Sequence, residues 1–116
     1  MSIANYRTLP TKVQTLTLQN KFFPQSVTVE VGQVLEFKSE NHNLQHRVEV
    51  STKSPVPETI FTSQPLKTND VCRVVFTAVG NFTVVDPVYS FMERGIVKVI
   101  EGGEVRKRPH KARKNC

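Results

Sequence analysis

Apolar residues recur at every second position along most of the chain. Val27, Val29 and Val31 alternate with Thr28 and Glu30. Cys72, Val74 and Phe76 share one parity, as do Val48 and Val50, and Phe82 and Val84. A period of two is the signature of a strand with one face inward. It predicts strands over Val13–Leu18, Val27–Val31, Val34–Phe37, Arg47–Val50, Val71–Thr77, Phe82–Val85 and Ile96–Ile100. Turn-forming residues punctuate them: Gly32-Gln33, the polar run SENHNLQ (39–45), Asn69-Asp70 and Gly80-Asn81. The proline-bearing stretch STKSPVPETIFTSQP (51–65) reads as an irregular crossover or a short helix. No segment combines helical period with both caps. About seven short strands at regular spacing predict an all-β sandwich.

Charge divides the chain. Lys and Arg number 16 against 10 Asp and Glu, a net +6. Arg106, Lys107, Arg108, Lys111, Arg113 and Lys114 all lie in the segment 105–116, which holds no acid. The rest of the chain is therefore formally neutral. The organisation expected is an N-terminal segment with the first strand (1–20), a sandwich (21–101) and a flexible basic C-terminal arm (102–116). Such an arm suits an acidic polymer or surface. Neither a secretory leader nor a long apolar run is visible in this sequence, and the reading is a cytoplasmic protein. Its two cysteines, Cys72 and Cys116, are expected as thiols, Cys72 as a small core residue.

Several stretches together resemble a known family. FFPQSVTVEVGQVLEF (22–37), His46-Arg-Val, FTSQP (61–65) and VVFTAVGNFTVVD (74–86) follow one another in the order and spacing of the cupredoxins, the plastocyanin-like proteins. The resemblance covers Lys21 to Glu101. It implies a Greek-key β-sandwich of about seven to eight strands. It also implies a copper site of two His, one Cys and an axial Met. Carried onto this chain, those positions fall on His46, Asp86, Tyr89 and Met92. Asp86 stands in the place of the thiolate and Tyr89 in that of the second imidazole.

A carboxylate does not supply the short copper–thiolate bond of that centre. The expectation is a domain without metal or other cofactor, in which these four residues have ordinary structural roles. Asp86 before Pro87 is a turn-starting pair whose carboxylate can bond nearby backbone N–H groups. Tyr89 reads as a rim aromatic, Met92 as packing, and His46 as bonded to a neighbour. His42 and His46 have zinc-like spacing only on a helix, and their segment reads as loop. His110 has no partner in the arm. No phosphate loop or nucleophile elbow is present, and Glu30, Glu36 and Glu49 fall at exposed parity.

The functional expectation is a non-enzymatic structural or interaction protein with no small-molecule substrate. The basic arm would hold it to an acidic polymer in a larger assembly. The tubulin lattice of a cilium or other cytoskeletal array is favoured over structural RNA, because the neutral body lacks the basic face with interleaved aromatics of an RNA-binding module. Two other readings stand beside it: a metal-binding or electron-transfer cupredoxin with an altered site, and a nucleic-acid-binding protein.

Overall fold

A computed structural model describes residues 9–17, 21–40, 45–53, 56–89, 91–101 and, for the backbone alone, 112–115. Ten strands are found there: β1 (Lys12–Leu16), β2 (Phe22–Phe23), β3 (Ser26–Glu30), β4 (Val34–Ser39), β5 (Glu49–Thr52), β6 (Thr59–Thr62), β7 (Val71–Phe76), β8 (Gly80–Val85), β9 (Gly95–Ile100) and β10 (Ala112–Asn115). They form two five-stranded sheets, in the orders β10-β7-β4-β1-β2 and β3-β9-β8-β5-β6. Both sheets are mixed, since β1 runs parallel to β4 and β3 parallel to β9. Among the described residues no helix is long and apolar enough to cross a membrane.

The core lies between the sheets and is built by alternation. Leu16, Leu35, Phe37, Val74 and Phe76 come from one sheet; Val29, Val50, Phe82, Val84, Val97 and Val99 come from the other. All are buried. Phe76 and Phe82 meet across the interface with centroids 5.0 Å apart and rings tilted by 35°, a contact that adds to simple area burial. Val31 is only partly buried at the edge of this core. Glu30, Glu36 and Glu49 are half-buried. Glu36 is paired with Arg73 across β4 and β7 at 3.0 Å.

Two glycines are placed by backbone geometry. Gly32 has φ +89 in the β3–β4 turn, where a side chain would be strained. The turn is tied by Gln33, whose Nε2 donates to the Pro10 carbonyl at 2.8 Å and whose Oε1 accepts from the Glu30 N–H at 2.9 Å. Gly95 opens β9 against β1 and β2. A Cβ there would sit 3.0 Å from Gln14 Nε2 and 3.2 Å from Phe22 Cγ. Gln14 is fully buried, and its Nε2 donates to the Pro24 and Gln25 carbonyls at 3.0 and 3.1 Å. It has little room to yield.

The structure changes several expectations. The all-β sandwich is as expected, and its ten strands among the described residues include three, β2, β6 and β10, beyond the runs that alternation marks. β6 occupies part of the supposed irregular crossover, where only a loose pattern of intermediate burial marks it. β1 is an inner strand between β4 and β2, so the N-terminal boundary at residue 20 does not separate it from the sandwich. Leu18 of the expected first strand lies outside the described residues.

The arm was expected to lack regular structure throughout. Its segment Ala112–Asn115 instead pairs antiparallel with β7, with Asn115 opposite Arg73 and Ala112 opposite Phe76. An edge strand needs backbone partners more than alternation, and this one is charged rather than patterned. Cys72 was read as a core thiol. It is fully buried as expected, but it is disulfide-bonded.

Replacing Gly95 with Ala is expected to destabilise the protein by about 1–3 kcal/mol, the usual cost of overpacking a filled interior. Chemical denaturation of the variant checks this. An unchanged midpoint would mean that Gln14 and Phe22 move aside freely.

Candidate functional site

The register of one sheet brings three segments to the same end. Glu49 at the start of β5 pairs with Val85 at the end of β8, and Val84 pairs with Gly95 at the start of β9. The residues just before β5, just after β8 and just before β9 therefore converge. They carry His46, Asp86, Tyr89 and Met92.

His46 is fixed by its backbone first. Its N–H donates to the Leu66 carbonyl at 3.1 Å and its carbonyl accepts from the Leu66 N–H at 2.6 Å, an isolated antiparallel bridge. Two residues on, Ser63 clamps Val48: its Oγ accepts from the Val48 N–H at 2.9 Å while its own N–H donates to the Val48 carbonyl at 2.8 Å. Ser63 lies within the FTSQP motif, yet its role has no local sequence signal, because the partner is fifteen residues away.

Asp86 directly follows β8 and precedes a proline. Pro87 has no N–H and biases the preceding residue to extended geometry. The carboxylate then folds the next residues back: Oδ1 accepts from the Val88 N–H at 2.8 Å and the Tyr89 N–H at 3.1 Å. This is the Asx-type turn expected from the Asp-Pro pair. A second turn follows, with the Met92 N–H donating to the Tyr89 carbonyl at 3.0 Å.

The other carboxylate oxygen makes the long-range contact. His46 Nδ1 donates to Asp86 Oδ2 at 2.6 Å, with both side chains fully buried. The Arg47 N–H donates to the same oxygen at 3.3 Å. Asp86 thus accepts four hydrogen bonds out of water, which is how a buried carboxylate is tolerated.

Around the pair the packing is apolar. Tyr89 meets the His46 ring edge-on, with centroids 5.1 Å apart and an angle of 64°, and Phe91 meets Tyr89 in turn at 6.0 Å. Tyr89 is partly buried against the core and Met92 is buried within it. Tyr89 sits at the rim of the core, with its ring edge-on to the imidazole. Val88 and Phe91 remain exposed. His46 Nε2 is buried without a hydrogen-bond partner. His42, Arg106, Lys107, Arg108, His110 and Lys111 lie outside the described residues. Arg113 and Lys114 are carried on β10.

No protein-family model matches the chain, and no curated protein matches it by sequence. Solved structures do. A copper-containing nitrite reductase from Thermus scotoductus SA-01 superposes with a TM-score of 0.64 at 24% identity, covering 84% of this chain and 24% of the reductase. The chain therefore spans about a quarter of that protein. A purple cupredoxin from Nitrosopumilus maritimus gives 0.66 at 18% identity, covering 77% of this chain and 99% of the other. An amicyanin variant in its Cu(I) form gives 0.66 at 18%, covering 78% and 82%. The fold is cupredoxin-like. At these identities the likeness is one of fold, and the chemistry is decided by this chain's own residues.

Those residues do not fit the copper centre that a cupredoxin fold implies. Two ligands of one tetrahedral metal, each bonded at about 2.0–2.1 Å, lie about 3.3 Å apart. His46 Nδ1 and Asp86 Oδ2 are at 2.6 Å, a separation set by a shared proton. No thiolate stands at the position after β8. Nε2, the other ring nitrogen, would need further donors. Among the described residues no group of three or more His, Cys, Asp or Glu side chains could hold a metal ion.

Replacing Asp86 with Ala is expected to cost about 3 kcal/mol or more, because it strands the imidazole N–H and three backbone N–H groups away from water. Asp86→Asn is expected to cost less, since the amide oxygen can still accept. Urea unfolding of both variants checks the order. Equal and small losses would contradict the assignment of Asp86 as a shared acceptor.

Proposed function

We propose that this chain is a non-enzymatic, metal-free structural protein: a cupredoxin-like body with a basic C-terminal segment that holds it to an acidic polymer in a larger assembly. The observation that carries the first half is the His46–Asp86 hydrogen bond. It uses the imidazole nitrogen and the carboxylate on each other, in a site whose polar groups serve folding. Tyr89 packs edge-on against the imidazole, on the side of the pair that faces the Asp86 turn's own residues.

The second half is supported by the distribution of charge. Arg106, Lys107, Arg108, Lys111, Arg113 and Lys114 account for the whole excess of +6. A concentrated run of one sign on a neutral body gives strong, salt-dependent attraction to a surface of the opposite sign. The tubulin lattice is the polymer favoured, because the body is formally neutral and adds no net basic charge for nucleic acid. Phe91 and Val88 are exposed but lie in the Asp86 turn region with no basic cluster among them.

Co-sedimentation of the full chain with polymerised tubulin tests the anchor. Binding is expected to fall steeply with added salt, and replacing the six basic residues with Gln is expected to weaken it by about tenfold or more. Binding that ignores both changes would overturn the role given to the segment. Preferential, salt-dependent capture of RNA would move the proposal to that polymer. Stoichiometric copper in the purified protein, with visible absorption, would overturn the metal-free reading.

A further inference from the structure

Three observations meet at the edge of one sheet. Cys72 is disulfide-bonded, although it lies fully buried on the inward face of β7. The sequence holds one other cysteine, Cys116, directly after β10. β10 runs antiparallel to β7 with Asn115 opposite Arg73. If that register continues for one more residue, position 116 comes opposite position 72.

Residues directly opposite in an antiparallel pair project to the same face, with Cα atoms about 4.5–5.5 Å apart. That separation lies within the range a disulfide spans, about 4.4–6.8 Å. We propose that Cys72 and Cys116 form a cross-strand disulfide that clasps the basic C-terminal segment onto β7, and that reduction of this bond releases β10. The clasp is independent of which polymer, if any, the segment binds.

The pairing explains a strand that sequence pattern does not. The segment Ala112–Asn115 brings two cations and no apolar side chain larger than alanine. Strand addition at an edge supplies backbone hydrogen bonds, but a short charged edge strand has little burial to hold it. A covalent link at its end adds a second tether between the two strands and removes most of the entropy gained on detachment. With the bond open, β10 is held to β7 by its backbone pairing alone.

Opening requires a dithiol reductant. Its thiolate attacks one sulfur of the Cys72–Cys116 bond and forms a mixed disulfide. Its second thiol then displaces that sulfur and closes the reductant's own disulfide. Two electrons and two protons pass to the protein, which is left with two thiols. Closing is the reverse, with an oxidised dithiol as electron acceptor.

The test uses the full chain equilibrated with oxidised or reduced dithiol. In the oxidised sample, digestion without reduction is expected to give one peptide pair joining Cys72 to Cys116, and no thiol that takes up an alkylating agent. Reduced protein is expected to take up two alkyl groups. Amide hydrogen exchange in Ala112–Asn115 is expected to rise by about tenfold or more on reduction, while β8 and β9 stay protected. Cys116→Ser, which leaves the core cysteine in place, is expected to show the fast exchange under both conditions. Free thiols in the oxidised protein, or a link between two chains, would overturn the proposal. So would identical exchange in β10 whether the bond is open or closed.

Discussion

A carboxylate buried away from water is tolerated only where several donors reach it together, and Asp86 gathers four. Two are backbone groups of its own turn, one is the Arg47 N–H, and one is the His46 ring. Through these contacts one side chain ties the end of β8 to the lead-in of β5 and sets the path towards β9. The His46 backbone is held separately by Leu66. The imidazole therefore meets Asp86 from a fixed support, and Tyr89, positioned by the Asp86 turn, is set edge-on against it. The convergence of three loops at this end of the sandwich depends on that one buried acceptor.

The same contact decides what the end of the sandwich can do. A short hydrogen bond and a pair of metal ligands are competing uses of the same two atoms, because the metal needs them further apart. Geometry at this end favours the hydrogen bond. A cupredoxin-like fold does not carry copper chemistry of its own; it carries a place where loops converge. Here that place holds the His46–Asp86 hydrogen bond with Tyr89 edge-on to the imidazole. What distinguishes the chain electrically lies elsewhere, in six cations gathered beyond the last strand of the neutral body.

Much of the sandwich was legible in the alternation. β3, β4, β7, β8 and β9 follow runs in which every second residue is large and apolar, and these are the strands that bury the core. The strands that escaped share a physical reason. β2 is two residues long, β6 is nowhere fully buried, and β10 is charged. Each is specified by an edge to pair with rather than by its own pattern. The local half of the site was also readable: an Asp before Pro signalled the turn that Asp86 makes. The long-range half was not. Forty residues separate His46 from Asp86, and no pattern within either segment announces the other. The disulfide escaped for a similar reason, since two cysteines in a chain without other signs of an oxidising setting favour thiols until β10 is placed beside β7.

The central claim is that His46 Nδ1 carries a proton committed to Asp86. Nuclear magnetic resonance of the imidazole nitrogens and their attached protons reads it directly in the folded protein. The account predicts a slowly exchanging proton on Nδ1 of His46, coupled to a single nitrogen and unmoved when one equivalent of copper is added. A ring without that proton, or one whose signals are lost on adding stoichiometric copper, would contradict it.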